Sequence, residues 1–285
     1  MPIRKYLEFV RFSHTVFALP FALAAMVVAA RANRGWPGWR TFFLILAAMG
    51  CARTAAMGFN RIADRKFDAQ NPRTAGRHLP SGRIKLGSAW VLTGLSAVGL
   101  MTVAWFINPI CFYLSPVALV VVFFYSVTKR FTDFSHFFLG LSLALAPLGA
   151  WLAVRGQFDW PPVALAVAVV FWLVGFDIIY ATQDYEFDRA AGLRSLPARW
   201  GIAGGLKFAR LAHGLMVLSL LGFGLISRMQ MPYYTGLVMI FTCLVVEHWV
   251  ARNRDPVSLN VAFFRMNAAI SVVLLVSVIL NVAMM

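Results

Sequence analysis

The sequence is poor in charged residues. Only 13% of its 285 residues are charged, 60% are hydrophobic, and the mean hydropathy is +0.74. Soluble globular domains carry about a quarter charged residues, so this composition excludes a soluble fold. Among the charged residues, acidic ones are the less common: the sequence has 11 Asp and Glu and 26 Lys and Arg, which gives a formal net charge of +15. In a membrane protein we expect this excess to reflect loops beside anionic lipid and a phosphate-bearing ligand, with no nucleic-acid partner.

The sequence also lacks any cysteine or histidine pattern that would hold a metal or form a disulfide framework. Its 3 cysteines lie far apart in apolar stretches, and its 5 histidines are scattered. We therefore expect neither a disulfide nor a zinc site. A cleavable signal peptide is not expected either, because the apolar run from His14 to Ala30 is too long for one.

Long apolar runs are what the sequence does contain. A membrane-spanning helix needs about 20 mainly apolar residues. Nine such stretches are present: residues 13–31, 41–60, 86–106, 109–128, 134–154, 161–182, 203–227, 231–250 and 262–284. The sequence therefore predicts an all-α, multi-pass transmembrane helical bundle of about nine helices. We expect residues 1–285 to form a single membrane-embedded domain.

The distribution of Lys and Arg predicts the orientation of these helices. If the N-terminus is cytoplasmic, 20 basic residues, Arg254 among them, fall in inside segments and 5 in outside segments, with Arg53 within a helix. Cytoplasmic loops carry an excess of Lys and Arg. We therefore predict a cytoplasmic N-terminus and an odd number of spans.

The few acidic residues are concentrated at two places. Six of the 11 lie in two short segments, which end the second and the sixth predicted helix. The tracts Asp64-Arg-Lys-Phe-Asp68 and Asp184-Tyr-Glu-Phe-Asp188 form a weak internal repeat. The repeat is parallel, because both helices are predicted to run from outside to inside. The first cluster comprises Asn60, Asp64 and Asp68; the second comprises Asp177, Tyr180, Asp184 and Asp188.

The spacing within each cluster predicts one polar face. Successive members of the first cluster are four residues apart, which is a step of about 40° around a helix. Members of the second cluster stand at i, i+3, i+7 and i+11, which also predicts one stripe. Facing carboxylates repel unless a cation lies between them, and Mg²⁺ takes carboxylate, water and phosphate oxygens. The pattern predicts a clamp for a Mg²⁺-bridged diphosphate; the alternative is two solvated helix ends, ion-paired to arginines such as Arg61.

Basic residues are predicted at the level of the acidic clusters. Together they could bind diphosphate oxygens, although each alone is typical of a topology anchor. These residues are Arg11, Arg73, Arg77, Lys129, Arg130 and Arg194. Arg53 differs because it falls within an apolar span, where an unpaired charge is costly. We expect it to pair with an acid on a facing helix, for example Asp177, or with an anionic group of the substrate.

Two tracts resemble the signatures of the UbiA prenyltransferase superfamily. Asn60-Arg-Ile-Ala-Asp64-Arg-Lys-Phe-Asp68 resembles N-x-x-x-D-x-x-x-D, and Asp184 to Asp188 resembles D-x-x-x-D. Tyr125 to Arg130 is similar to the Y-x-x-x-K-R segment of that family. The nearest branch is that of the 4-hydroxybenzoate polyprenyltransferases, and Asn71–Ala75 is similar to a bacterial subgroup of the futalosine route to menaquinone. Arg61 departs from the pattern, because many relatives have Asp there.

The resemblance implies a function and a role for each residue. Asn60, Asp64, Asp68, Asp184 and Asp188 would hold Mg²⁺ and the diphosphate. Arg73, Arg77 and Lys129 would contact the diphosphate, with Arg130, Arg194 and Tyr125 as further substrate-binding candidates. Arg11, Arg53 and Asp177 would lie nearer the acceptor, and Asp177, Arg53 and Tyr180 are the catalytic candidates.

The implied reaction is the transfer of a polyprenyl group from polyprenyl diphosphate to an aromatic hydroxy-carboxylate, in ubiquinone or menaquinone biosynthesis. Membrane lipid would surround the apolar tail, and the active site would face the cytoplasm of a bacterial inner membrane. One alternative is a sibling prenyltransferase with another acceptor. Another is a transporter, although transporter sites usually lie near the midplane of inverted repeats.

Overall fold

The computed structural model describes residues 2–11, 15–252 and 256–285, with side chains for 4–11, 15–252 and 264–285. All regular structure within these ranges is helical, which confirms the predicted class. The α-helices are α1 (Pro2–Phe9), α2 (Thr15–Ala29), α3 (Trp39–Gln70), α4 (Leu86–Ile107), α5 (Pro109–Thr128), α6 (Ser135–Arg155), α7 (Trp160–Ala181), α8 (Tyr185–Ala190), α9 (Leu196–Ile226), α10 (Met231–Arg252) and α11 (Pro256–Ala283).

Eight helical segments of the described chain are long and apolar enough to cross a membrane. They correspond to eight of the nine predicted stretches, and the chain is a multi-pass integral membrane protein. Helices are suited to the lipid bilayer because their backbone N–H and C=O groups form hydrogen bonds within the same segment. The side of the membrane on which the N-terminus lies stays a prediction.

The first predicted span is shorter than expected. Helix α2 has 15 residues and ends at Ala29. A 3₁₀ turn follows at Arg31–Asn33, after which Arg34 (φ 53°) and Gly35 (φ 79°) adopt left-handed conformations. Such conformations terminate an α-helix, so the apolar run to residue 31 overstates its length. The predicted start at residue 13, and Arg254 of the charge count, lie outside the described residues.

Helix α3 is longer than its apolar run. It was predicted to end at residue 60 but continues to Gln70, over 32 residues. Hydropathy marks the part of a helix that suits lipid, whereas most of the residues that follow are good helix formers. The helix stops before Asn71-Pro72, because the residue before a proline disfavours the α conformation. All three residues of the first cluster therefore lie on one continuous helix.

The boundary between α4 and α5 follows from the Asn108-Pro109 dipeptide. Asn108 is extended (φ −167°, ψ 165°), and its Oδ1 accepts a hydrogen bond from the backbone N–H of Cys111 at 2.8 Å. Asparagine is a favoured N-cap, and proline suits the first helical position because its missing N–H has no partner there. This turn separates the two predicted spans as expected.

The described chain comprises two compact units. Unit 1 is Met1–Thr15 with Trp39–Thr128, and unit 2 is Val16–Gly38 with Lys129–Met285. In unit 1, α3 packs against α4 and α5, and a cluster that includes Phe9, Val10 and Ile62 joins α1 to α3. That residues 1–285 act as a single domain stays a prediction.

Small residues allow close helix packing within both units. In unit 1, a Cβ on Gly58 would overlap the side chain of Thr93 on α4. In unit 2, α7 packs against α6 and α9, and α10 packs against α11. A Cβ on Gly140 would meet the backbone of Val170, and one on Gly175 would overlap the ring of His213. By contrast, the space around Gly149 on α6 is open.

Candidate active site

The first acidic cluster is a buried polar face of α3. Asp64 and Asp68 are only 4% and 5% exposed. Nδ2 of Asn60 donates a hydrogen bond to Oδ2 of Asp64 at 3.3 Å. Two carboxylates buried one turn apart repel each other, so they need positive charge nearby. The alternative of a solvated helix end is wrong for this cluster.

Arg77 provides part of that charge. Its Nη1 lies 2.6 Å from Oδ1 of Asp68, in a largely buried ion pair. The loop after α3 holds the pair in place, because Oγ1 of Thr74 donates to the carbonyl of Asp68 at 3.0 Å. The N–H of Arg73 donates to Oδ1 of Asn71 at 2.9 Å, which forms a tight turn, and the Arg73 side chain is exposed.

Arg61 is the feature of this site that the sequence did not disclose. It was considered only as an ion-pair partner at a solvated helix end, yet it is just 6% exposed. It lies within electrostatic range of Asp68 and Tyr125, and also of two other cations, Arg77 and Arg11. Within the part of the chain that the structure describes, no hydrogen bond to its side chain is present. Its position next to Asn60 in the sequence indicated that Arg61 lies near the site. The residue type alone does not show that the side chain is buried.

Arg53 is held by a backbone carbonyl. Its Nη2 donates to the carbonyl oxygen of Arg11 at 3.1 Å, and Arg11 itself is left-handed (φ 46°). Nε of Arg53 is buried with no hydrogen-bond partner among the described residues. The expected acidic partner is therefore replaced by a carbonyl. Tyr125, on α5, lies within electrostatic range of Arg53 and Asp64.

Unit 1 thus brings together most of the predicted residues that it contains. These are Arg11, Arg53, Asn60, Asp64, Asp68, Arg77 and Tyr125, with Arg61 added by the structure. Four guanidinium groups stand against two carboxylates, so this part of the molecule is electrostatically suited to an anion.

The second cluster lies in unit 2 and begins with a carboxylate paired to a histidine. Oδ2 of Asp177 lies 2.7 Å from Nδ1 of His136, which is 4% exposed and belongs to α6. Nε2 of His136 is buried and has no hydrogen-bond partner among the described residues. The sequence did not identify His136, because it lies 41 residues away on another helix.

The predicted stripe through Asp188 is interrupted. Helix α7 ends at Ala181, a 3₁₀ turn spans Thr182–Asp184, and α8 follows. Oγ1 of Thr182 donates to the carbonyl of Ile179 at 2.7 Å. Local hydrogen bonds of this kind compete with the regular helical pattern. Asp177 and Tyr180 therefore lie on α7, whereas Asp184 and Asp188 belong to the turn and to α8.

Asp188 lies near both its acidic neighbour and a cation. Oγ of Ser195 donates to its Oδ2 at 3.4 Å, and Asp184, Lys129 and His136 are within electrostatic range. Ser195 also caps α9 through the N–H of Ala198 at 3.2 Å. The start of α9 therefore helps to position the carboxylate.

Arg194 and Arg130 are placed differently from Lys129. Nη1 of Arg194 donates to the carbonyl of Phe131 at 2.7 Å, and its backbone N–H donates to the carbonyl of Lys129 at 2.9 Å. The Arg194 guanidinium thus braces the loop after α5. Arg130 is exposed.

The oxygen atoms of this site suit Mg²⁺, which does not require a complete set of protein ligands. Within the described ranges, no three His, Cys, Asp or Glu side chains are arranged to hold a metal alone. Mg²⁺ usually takes one or two carboxylates and completes its shell with water and substrate phosphate. Oδ2 of Asp68 is buried and has no hydrogen-bond partner among the described residues. An oxygen so placed is available to a hard cation, so the residues fit this metal.

The architecture defines a multi-pass membrane protein with two aspartate clusters at the ends of helices. The model of the UbiA prenyltransferase family matches residues 18–269, and the chain belongs to that family. It is therefore an enzyme, a prenyltransferase, and the transporter alternative is wrong.

Curated relatives are similar over most of their length. The chain is 30% identical over 239 residues to the 4-hydroxybenzoate octaprenyltransferase of Marinobacter nauticus, covering 84% of this chain and 81% of that one. It is 30% identical over 253 residues to the protein of the same name from Alcanivorax borkumensis, covering 88% and 86%.

Solved structures share the fold. The apo structure of a UbiA homologue from Aeropyrum pernix K1 matches with a TM-score of 0.84 at 27% identity, covering 94% of this chain and 98% of that one. A UbiA homologue from Archaeoglobus fulgidus, bound to GPP and Mg²⁺, matches with a TM-score of 0.74 at 21% identity, covering 99% and 100%.

Proposed function

We propose that this prenyltransferase moves a polyprenyl group from polyprenyl diphosphate to an aromatic hydroxy-carboxylate, 4-hydroxybenzoate or a dihydroxynaphthoate, in ubiquinone or menaquinone biosynthesis. The observation that supports the proposal most is the buried polar face of unit 1, where four guanidinium groups lie near the carboxylates of Asp64 and Asp68. The names of the relatives favour 4-hydroxybenzoate, and the Archaeoglobus homologue is bound to GPP and Mg²⁺. A sibling enzyme with another acceptor is the alternative.

The proposal assigns the carboxylates and Asn60 to metal and diphosphate. Asn60, Asp64, Asp68, Asp184 and Asp188 would hold Mg²⁺, with Arg77 orienting Asp68. When bound, Mg²⁺ would neutralise charge that develops on the leaving diphosphate.

The basic residues would stabilise the same leaving group. Arg61, Arg73, Arg77 and Lys129 would contact diphosphate oxygens as the allylic carbon–oxygen bond breaks and the diphosphate takes the bonding electron pair. Arg61 joins this set because it is a buried cation beside Asp68. Arg130 and Arg194 would be further substrate-binding residues, and Arg194 also holds the adjoining loop through the carbonyl of Phe131.

The acceptor would lie near Arg53. Its buried Nε is a donor without a partner among the described residues, which suits the carboxylate of an aromatic acid. Arg11 positions Arg53 through its carbonyl, and Tyr125 and Tyr180 would contact the substrates. After the ring carbon bonds to the allylic cation, either Asp177, oriented by His136, or the released diphosphate takes the ring proton.

The same proposal covers location. The concentration of Lys and Arg on one predicted side supports a bacterial cytoplasmic membrane with the site facing the cytoplasm. The apolar polyprenyl chains of the donor and the product explain why the enzyme is embedded in lipid.

Vesicles that contain the full chain provide the test. Mg²⁺, geranyl diphosphate and either acceptor are supplied, and prenylated product is identified by mass. We expect product that requires Mg²⁺, disappears on chelation, and is lost in Asp64→Ala and Asp184→Ala. Asp159→Asn is the matched control, because Asp159 lies beside the opposite end of α7 and contacts Trp151.

The outcomes separate the candidates. Product with 4-hydroxybenzoate or a dihydroxynaphthoate decides the acceptor. Diphosphate release with another acceptor alone would support the sibling enzyme. If folded protein released no diphosphate with any acceptor, the proposed reaction would be wrong.

A further inference from the structure

Unit 2 contains a groove that the transfer reaction does not use. It lies between α9 and α10 and has a volume of about 1000 Å³, at the upper end of the range for small-molecule sites. The two helices form a hairpin, so the start of α9 and the end of α10 lie at the same end of the groove. None of the proposed Mg²⁺ or diphosphate ligands lines it.

The groove is lined mainly by apolar side chains and is open at the surface of unit 2. Leu211, Leu218, Phe241 and Val245 line it and are each more than half exposed. In a membrane protein, such side chains meet lipid chains. Gly214 also lines the groove, and a Cβ there would meet nothing within 4 Å. The groove therefore has room for an apolar chain against the helix backbone.

Among the described residues that line the groove, Lys and Arg lie at one end only. Lys207 and Arg210 lie in the first half of α9, and Arg252 is the last residue of α10. No acidic side chain is found among the described residues that line the groove. Glu247, which precedes the lining residue His248 on α10, contacts α11 instead, where its Oε1 accepts a hydrogen bond from Nδ2 of Asn267 at 2.8 Å.

The basic end also has the marks of a membrane interface. Trp249 lines it and is 65% exposed, and exposed tryptophans are enriched at the level of lipid headgroups. His248 lines the same end, within electrostatic range of Arg210, and hydrogen-bonds His213 at 2.9 Å between Nε2 and Nδ1. Polar side chains thus continue from the basic end to the middle of the groove.

We propose that this groove binds one anionic phospholipid, with its phosphate at Lys207, Arg210 and Arg252 and an acyl chain along Leu211, Gly214 and Leu218. The dimensions agree: residues 203–218 rise by about 22 Å, and the apolar half of a bilayer is about 15 Å deep. The remaining length accommodates the headgroup. Basic pockets between membrane helices bind anionic headgroups in this manner.

A phospholipid fits this groove better than the polyprenyl diphosphate donor does. A Mg²⁺-bridged diphosphate needs carboxylate ligands, and no described side chain that lines the groove provides one. A phosphodiester carries a single negative charge and needs only the cations. The site is therefore independent of the proposed reaction.

Lipid counting tests this directly. The full chain in detergent is titrated with phosphatidylglycerol or with phosphatidylcholine of the same acyl chains, and bound lipid is counted by native mass spectrometry. We expect one phosphatidylglycerol to bind in preference to phosphatidylcholine. Lys207→Gln, Arg210→Gln and Arg252→Gln together should weaken phosphatidylglycerol binding by about a hundredfold.

Each variant has a matched control. The controls for charge are Arg34→Gln, Arg40→Gln and Arg228→Gln, three exposed arginines that do not line the groove. Gly214→Leu should weaken binding of both lipids by filling the groove. Gly222→Leu should not, because Gly222 is equally unhindered on the same helix but does not line the groove.

Three results would overturn the proposal. The first is equal binding of the two lipids to the wild type, which needs no variant to fold. The second is an equal loss in the two triple variants, which would indicate nonspecific charge attraction. The third is displacement of phosphatidylglycerol by geranylgeranyl diphosphate at matched concentration, which would make the groove a donor site.

Discussion

Asp177 of α7 and His136 of α6 form one hydrogen-bonded pair, with 2.7 Å between Oδ2 and Nδ1. The pair orients the carboxylate of Asp177. Nε2 of His136 is buried without a hydrogen-bond partner among the described residues.

If Asp177 removes the ring proton, Asp177→Asn should lower kcat by about 10²- to 10⁴-fold, the usual effect of losing a general base. KM for the donor should change little. His136→Gln should lower kcat by a smaller factor, because the carboxylate remains but is less well oriented. Steady-state kinetics in vesicles measures both, with Asp159→Asn as control. An unchanged kcat in Asp177→Asn would assign proton removal to the released diphosphate.

Arg61→Gln should separate binding from stability. Loss of a charged hydrogen-bond donor to diphosphate should raise KM for the donor by about 10- to 100-fold. The folded protein should be no less stable, because a buried cation without a hydrogen bond in the described chain is removed. Kinetics and thermal unfolding measure the two effects.

Arg65→Gln is the control for Arg61, since Arg65 is an exposed arginine one turn along α3. It should change neither quantity. A loss of stability in Arg61→Gln with unchanged KM would make Arg61 a structural residue.

Arg77→Ala should destabilise unit 1 by about 3–5 kcal/mol, because it removes the hydrogen-bonded ion-pair partner of the buried carboxylate of Asp68. The double variant with Asp68→Ala should recover part of this loss. Reversible unfolding in detergent measures the coupling. The exposed pair of Arg199 and Asp133, also 2.6 Å apart, is the comparison and should contribute at most about 1 kcal/mol. Equal coupling free energies in the two pairs would show that burial does not strengthen the ion pair of Arg77 and Asp68.

Gly175→Ala should destabilise the packing of α7 on α9 by about 1–3 kcal/mol, because the added methyl overlaps the ring of His213. Gly149→Ala is the matched change on α6, where the space is open, and it should be neutral or slightly stabilising. Thermal unfolding of the two variants compares them. A neutral Gly175→Ala would mean that His213 moves aside freely.

Features that depend on local sequence were predictable. Apolar length placed eight spans, Asn108-Pro109 separated α4 from α5, and the spacing of Asn60, Asp64 and Asp68 placed them on one face of α3. Each of these depends on helix periodicity or on neighbouring residues. The two signature tracts were likewise sufficient to indicate the family.

Local pattern did not reveal where helices end in polar sequence. The apolar run ended ten residues before the C-terminal end of α3, and the 3₁₀ turn at Thr182–Asp184 interrupted the polar stripe that helix periodicity predicted. Hydropathy indicates which segment prefers lipid. The ends of a helix depend instead on local hydrogen bonds and residue types, so a helix can extend beyond its apolar segment or end within it.

The sequence by itself determined that this protein is a helical membrane prenyltransferase with two aspartate clusters, because composition, spacing and signature residues are properties of short segments. Only the tertiary structure decided that Arg61 is buried, that Arg53 is held by the carbonyl of Arg11, and that Asp177 pairs with His136. The physical reason is that these contacts join residues up to 42 positions apart. Helix packing sets such contacts, and the periodicity of a single helix does not specify which neighbour it meets.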